Sequence, residues 1–319
     1  LAERFEKDIR KAGLEGSVTV GLLHTGVKVA AKRKLIEGAK NGDLHILVGT
    51  HSILNKDIEF HKLGLIIIDE QHRFGTKHRQ ALTDNFMSKS NIVPDVLMMS
   101  ATPIPRTMSQ TIYGDMDLSV IDEYPADRKP VATFWDEDDS YAWDAIREEV
   151  TKGHQAYVIA SLVDESESEK MENVENATQT QMFLQTSVFP DFKVGLVHGK
   201  MKPAEKSAIL DAFYANEIQV LVSTSVIEVG VNVPNATVMT ILNANRFGIA
   251  SLHQIRGRVG RGSAQGYCYL IGEASNPDAE ERLNAMVASN DGFWLAEKDL
   301  EIRGEGSLLK DSQSGENDM

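Results

Sequence analysis

The chain of 319 residues holds a single cysteine, Cys268, and only 7% aromatic side chains. One thiol can neither staple a fold nor complete a cysteine framework for zinc, which excludes disulfide scaffolds and cysteine-rich metal domains. Its setting, GYCYLIG (266–272), reads as an apolar strand carrying a structural thiol rather than a nucleophile. No apolar run approaches bilayer length, and the opening residues LAERFEKDIRKAG carry charges where a secretory leader needs an apolar centre, so a cytosolic protein is expected. Cations are scarce too: 33 Lys and Arg stand against 47 Asp and Glu, for a formal net charge of -14. That balance opposes wholesale coating by nucleic-acid phosphates, while a local basic groove stays compatible with it. Also lacking is any GxxxxGK(S/T) string. The one Gly-Lys pair, Gly199-Lys200, sits in VHGKMKP and does not have the form of a phosphate-cradling loop.

What the chain does have is alternation. HILVGT (45–50), LGLIIID (63–69) and DVLMMSAT (95–102) predict buried strands, apolar enough to require a parallel sheet covered on both faces. IDEYPADRKP (121–130), with two prolines among charges, predicts a linker. A second series of strands is expected at QAYVIASLV (155–163), KVGLVHG (193–199), IQVLVSTS (218–225), TVMTILNA (237–244) and GYCYLIG (266–272). Between them a helix over 203–216 opens at Pro203. The acidic run DESESEKMENVENATQT (164–180) predicts a solvated helix or loop, and SNDGFWLAEKDLEIRGEG (289–306) a further helical stretch. Two α/β blocks in tandem is the fold class these patterns imply.

Three segments put chemistry at strand ends, where ligands bind in open α/β sheets. GLIIIDEQHRFG (64–75) ends a strand on Asp69 and Glu70. A carboxylate there can hold Mg²⁺ through water while its neighbour polarises an attacking water; the plainer alternative is that Asp69 caps the next helix. In SATPIPRT (100–107), Ser100 and Thr102 suit helix caps, or a link between the carboxylates and a second ligand. HQIRGRVGRG (253–262) spaces Arg256, Arg258 and Arg261 with glycines. Such a density of guanidinium is costly unless it meets anions, and the glycines are expected to permit close backbone approach without a packing role. The sharpest version is an arginine finger across a cleft between domains.

In order, DEQH, SATPIPRT, VHGKM, STSVIEVGVNVP and LHQIRGRVGRG resemble motifs II to VI of the superfamily 2 helicases, and VGTHSIL (48–54) resembles motif Ib. DEQHRFG, ATPIPRT, HGKMKPAEK and NDGFWLAEKDLEIRGEG are similar, more narrowly, to strings of the RecG family of bacterial branch-migrating helicases. The resemblance implies two tandem RecA-like domains with mainly parallel sheets. The first spans 1–126 with motifs Ib, II and III and is incomplete at its N-terminus. The second spans 127–275 with motifs IV, V and VI, and a short helical and loop extension over 276–319 is similar to the family's translocation motif. It further implies an ATP-dependent helicase, with ATP and Mg as cofactors, that acts on branched or forked DNA in recombination and repair. Fork reversal, Holliday junction branch migration, a bacterial cytoplasmic setting and single-strand DNA-binding protein as a partner belong to the same implication.

By that resemblance Asp69 serves Mg²⁺ through water and Glu70 activates the attacking water. Gln71 and His72 complete motif II and pass its state to Ser100 and Thr102. Arg258 and Arg261 reach the terminal phosphate with Gln254 beside them. Gly230 and Asn232 lie near the ribose and the cleft, Asn232 standing where the family often has Asp. Thr50, His51 and Thr224 contact DNA phosphates, which positions the strand without reading its sequence. Arg303, Gly304, Gly306 and Gln313 match the translocation motif, although LKDSQSG (309–315) replaces the usual LGTRQSG. His198 in motif IV is expected to be structural or interdomain.

The phosphate-cradling loop of the family is expected ahead of Leu1, so the 319 residues alone are expected to turn over ATP negligibly. Three rivals compete. A transcription–repair coupling translocase shares ATPIPRT and GRVGR but usually has Glu where Gln71 stands. A non-catalytic helicase-fold scaffold would have no use for Asp69, Glu70, Arg258 and Arg261. A nuclease built on Asp69, Glu70 and His72 lacks a second carboxylate cluster for two metals.

Overall fold

The computed structural model describes residues 2–24, 26–50, 53, 58–69, 94–100, 117–121, 129–160, 167–224 and 233–303. The chain divides into two compact units, Leu1–Ala101 and Thr102–Met319.

In the first unit, helix α1 (Ala2–Lys11) leads into strand β1 (Val20–Leu23), helix α2 (Val29–Asn41) and strand β2 (Ile46–Gly49), with β1 and β2 parallel. Strands β3 (Leu65–Ile68) and β4 (Asp95–Met98) form a second parallel pair. Helix α2 stops at Gly42, whose φ of 86° is the left-handed conformation glycine adopts at least cost, and the Gly42 N–H returns to the Gly38 carbonyl. β1 is not among the strands expected from the sequence, because Gly21 interrupts its apolar run. The structure gives Gly21 a use: a Cβ there would lie 2.5 Å from Leu35 Cδ2 and 3.0 Å from Leu44 Cδ1, so the missing side chain lets α2 close on the strand.

The expectation of a sheet covered on both faces fails for β3 and β4. Leu65, Ile67, Leu97 and Met99 lie on one exposed face, while Ile68 is buried. Strict alternation across the pleat separates the two faces, and only one of them meets a core among the described residues.

The second unit holds six parallel strands among its described residues. They are β5 (Ala132–Asp136), β6 (Gln155–Ala160), β7 (Val194–Val197), β8 (Val220–Ser223), β9 (Ala236–Leu242) and β10 (Tyr267–Ile271), in the order β5-β10-β9-β6-β8-β7. Helices α3 (Ser140–Thr151) and α4 (Glu167–Phe183), the latter running into a wide turn over Leu184–Val188, cover one face. There Ile146, Val150, Ala177 and Leu184 pack on Ala156, Val158, Val222 and Val238. Helices α5 (Pro203–Tyr214), α6 (Ile249–Arg256), α7 (Pro277–Ala288) and α8 (Gly292–Arg303) serve the other face. Phe213, Leu252, Ile255, Leu283 and Leu295 pack there on Tyr157, Ile159, Met239 and Cys268.

Local signals explain the helix starts. Pro203 opens α5, with the Lys202 N–H donating to Glu205 Oε2 at 3.4 Å. Asn276 Oδ1 accepts from the Ala279 N–H at 2.8 Å ahead of Pro277, and Asp291 Oδ1 accepts from Phe293 at the start of α8. The acidic run is helical from Glu167 onward. Burial pushes the lone Cys268 thiol up to about 12, as a structural thiol requires. Among the described residues no helix is long and apolar enough to cross a membrane.

At the amino-terminal end of the sheet, the buried Glu149 carboxylate accepts from Thr237 Oγ1 at 2.9 Å, lies 2.7 Å from His154 Nδ1, and pairs with Lys152 Nζ at 2.8 Å. Burial by itself raises the Glu149 pKa, but the bonds from Lys152, Thr237 and His154 outweigh it, and the net value falls below the ordinary 4.5. A carboxylate with a depressed folded pKa contributes stability that is fully present above its unfolded value and is lost as the pH falls through the folded one. Glu149→Gln should therefore lower stability by about 1–2 kcal/mol at neutral pH. The deficit should shrink below about pH 4.5, as read from urea midpoints of the two proteins across pH.

Candidate functional site

Parallel strands bring chemistry to one end. In the first unit the β3–β4 register, Leu65 opposite Asp95 through Ile68 opposite Met98, carries both strands to the same edge. The Met99 N–H donates to the Ile68 carbonyl at 2.8 Å, which carries the pairing one residue further, Asp69 opposite Met99, with Ser100 next in the chain where the strands stop. Asp69 and Ser100 are exposed there. Thr50 follows β2 at its corresponding end, its N–H donating to the Leu23 carbonyl and its own carbonyl accepting from Ile53. An exposed carboxylate at a strand end suits a hydrated divalent cation, which prefers hard oxygen ligands and keeps several waters. Among the described residues no cluster of three or more His, Cys, Asp or Glu forms a closed metal cage.

In the second unit, His198 follows β7 and Thr224 follows β8. His198 is partly buried, its N–H donates to Met201 Sδ, and Nδ1 has no hydrogen-bond partner among the described residues. Thr224 is buried, which leaves little of its side chain to meet a strand of DNA. Gln254 lies half-buried on α6, one turn before Arg258. The Arg258 N–H donates to the Ile255 carbonyl, and Arg261 Nε donates to the Gly257 carbonyl at 2.8 Å. Burial raises the pKa of the Tyr157 phenol on β6, and the positive charges of Arg258 and Arg261 oppose that rise. Arg258 and Arg261 follow α6 on one short segment, whose Gly260 N–H donates to the Ala236 carbonyl at the start of β9.

Arg256 departs from the expectation. It is 2% exposed and points inward. Nη1 donates to the Met286 carbonyl at 2.7 Å, the Ser289 carbonyl at 2.9 Å and Thr133 Oγ1 at 3.2 Å, while Nη2 lies 3.0 Å from His253 Nδ1. This arginine ties α6 to β5 and to the α7–α8 turn. The sequence could not separate it from its neighbours, since only its place as the last residue of α6 turns it into the core.

The glycines also have a packing role, against expectation. Gly260 sits at φ +64°, where a Cβ would come 3.2 Å from Val131 Cγ2; one on Gly262 would come 2.8 Å from the Pro234 carbonyl oxygen. Gly260→Ala should cost about 1 kcal/mol through the left-handed backbone alone. Gly262→Ala should cost about 1–3 kcal/mol because the obstruction is main chain. Thermal unfolding of the two variants checks both.

Asp69, Thr50, Ser100, Thr224, Gln254, Arg258 and Arg261 thus have described positions, and Arg303 closes α8. Glu70, Gln71, His72, His51, Thr102, Gly230, Asn232, Gly304, Gly306 and Gln313 lie outside the described residues.

Comparison with known proteins gives two family matches: DEAD/DEAH box helicase over residues 1–111 and helicase conserved C-terminal domain over residues 142–263. The chain is 46% identical over 298 residues to ATP-dependent DNA helicase RecG of Synechocystis, covering 93% of this chain and 35% of that protein. Against RecG of Bacillus subtilis it is 44% identical over 317 residues, covering 99% of this chain and 45% of that one. A solved structure of RecG bound to a three-way DNA junction superposes with a TM-score of 0.71 at 38% identity, over 97% of this chain and 39% of that one. The chain therefore spans less than half the length of the relatives it matches.

Proposed function

Because the chain belongs to the RecG family of helicases, with two tandem RecA-like domains, we propose that it supplies the ATP-driven motor of a protein that remodels branched DNA. The observation that supports this reading is the placement of the motif residues: Asp69 is exposed where β3 stops in one unit, and Arg258 and Arg261 stand together on the short segment that follows α6 in the other. Domains over 1–126, 127–275 and 276–319 are the working division.

In this reading Asp69 holds hydrated Mg²⁺ and Glu70 orients water, with Gln71 and His72 reporting to Ser100 and Thr102. Bound Mg·ATP supplies the phosphoryl group whose transfer to water drives the motor. Arg258 and Arg261 stabilise charge on the terminal phosphate, Gln254 lies beside them, and Gly230 and Asn232 border the ribose. Thr50 and His51 hold DNA phosphates, the buried Thr224 does not share that role, and Arg303 and Gln313 belong to the element that turns nucleotide closure into movement. Forked and four-way DNA are the proposed substrates, single-strand DNA-binding protein the proposed partner, and the bacterial cytoplasm the proposed setting.

The test is a chimera in which these 319 residues replace the matching segment of Bacillus subtilis RecG. DNA-stimulated ATP turnover and unwinding of a synthetic three-way junction should both persist. A soluble, folded chimera that turns over ATP with no DNA dependence would sink the reading.

A further inference from the structure

β5 is the end strand of the second unit's sheet and pairs only with β10 among the described residues. The Ala132 N–H donates to the Gly266 carbonyl and the Gly272 N–H to the Asp136 carbonyl. The peptide groups of 132, 134 and 136 therefore face the ladder, and those of Thr133 and Trp135 face away from it, where no described strand meets them. On the face beside α3, Phe134 stacks on Tyr269 with ring centres 5.2 Å apart and planes at 21°. Phe134 is 46% exposed, and Tyr267 lies on the same face two residues before Tyr269. Burial, then Tyr267 and the Glu148 and Glu149 carboxylates, push the Tyr269 phenol up, so it stays uncharged on this aromatic floor. From Val131 to Glu149 the chain carries seven carboxylates and one cation, Arg147; Glu148 and Glu149 are paired with Lys152, which leaves Asp136, Glu137, Asp138, Asp139 and Asp144. Arg147 is engaged elsewhere, over the Phe189 and Phe192 rings and on the Val188 carbonyl.

We propose that the β5 edge is a docking site for an extended basic peptide, one in which lysines or arginines alternate with aromatic or branched apolar residues. Outward peptide groups supply main-chain hydrogen bonds, the Phe134–Tyr269 floor takes alternate apolar side chains, and the acidic rim takes the cations between them. Charge selects this occupant over others. Nucleic acid would set phosphates against Glu137, Asp138 and Asp139, and a second copy of the chain in a two-fold contact would set acidic rim against acidic rim. The site is separate from the nucleotide chemistry proposed above and does not depend on it.

Fluorescence anisotropy on the whole chain tests the proposal with three labelled synthetic peptides: alternating Lys with Val and Phe, the same with Glu for Lys, and the same with Pro at alternate positions. The first should bind saturably, and the other two more weakly by about tenfold or more. Phe134→Ala and Glu137→Lys, both at exposed positions, should each weaken the first peptide by about fivefold. Hydrogen exchange at the Thr133 and Trp135 amides should slow in the complex. The proposal is overturned if the basic peptide fails to bind. It is overturned equally if binding is indifferent to Phe134→Ala and to proline, which marks charge attraction alone, or if a single-stranded oligonucleotide competes the peptide off.

Discussion

Arg261→Ala in the Bacillus subtilis chimera will lower DNA-stimulated ATP turnover by about 10³-fold, the loss expected when a guanidinium that neutralises a transferring phosphoryl group is removed. Arg258→Ala should fall in the same range. Neither change should shift the unfolding midpoint by more than a fraction of a kcal/mol. Arg261 is exposed, Arg258 half-exposed, and the Arg261 bond to the Gly257 carbonyl is one a solvated backbone can replace with water. Arg261→Lys should recover little, since an ammonium cannot present two parallel donors to phosphate oxygens. The decisive comparison is kcat against KM for ATP: loss concentrated in kcat marks an interaction made in the transition state. A variant within about threefold of the parent in kcat would remove Arg261 from the chemistry.

Arg256 should behave in the opposite way. Arg256→Met leaves the Met286 and Ser289 carbonyls and the Thr133 hydroxyl without their donor in a buried setting, and should cost about 3 kcal/mol or more of stability. Arg256→Lys should be nearly as damaging, because one ammonium cannot reach three acceptors and His253 from the guanidinium's position. The damage should be uneven. Hydrogen exchange across 286–303 should speed up first, since Arg256 is a principal tie between α6 and the α7–α8 turn. If urea midpoints stay within about 0.5 kcal/mol of the parent, the network is ornamental.

Two arginines separated by one glycine thus have unrelated fates, and that difference marks what can be read from sequence. The alternation of apolar runs was enough to place β2, β3, β4 and β6 to β10, because short apolar runs bounded by turn residues have few alternatives, although the burial they implied holds for β6 to β10 and not for both faces of β3 and β4. β5 escaped because VATFWD ends in acid and follows a proline-bearing segment, and an edge strand with one wet side lacks the uniform apolar signal. β1 escaped because Gly21 looks like a breaker until Leu35 and Leu44 are seen to occupy the space it leaves. At the proposed site, motif spacing pointed to Asp69, Arg258 and Arg261, since ligand chemistry constrains residue type. It could not identify Arg256 as structural or Gly260 and Gly262 as packing residues, because both roles rest on what approaches from distant segments: Met286, Val131 and Pro234.

The strand order has a consequence for biosynthesis. β5, the first described strand of its sheet to leave the ribosome, pairs among the described residues only with β10, the last of them, with Ala132 waiting for Tyr267. Central β6 likewise waits for β9 on one flank. The nascent second unit must therefore hold its earliest hydrogen-bonding edge and the Phe134 ring unmatched through most of its own translation.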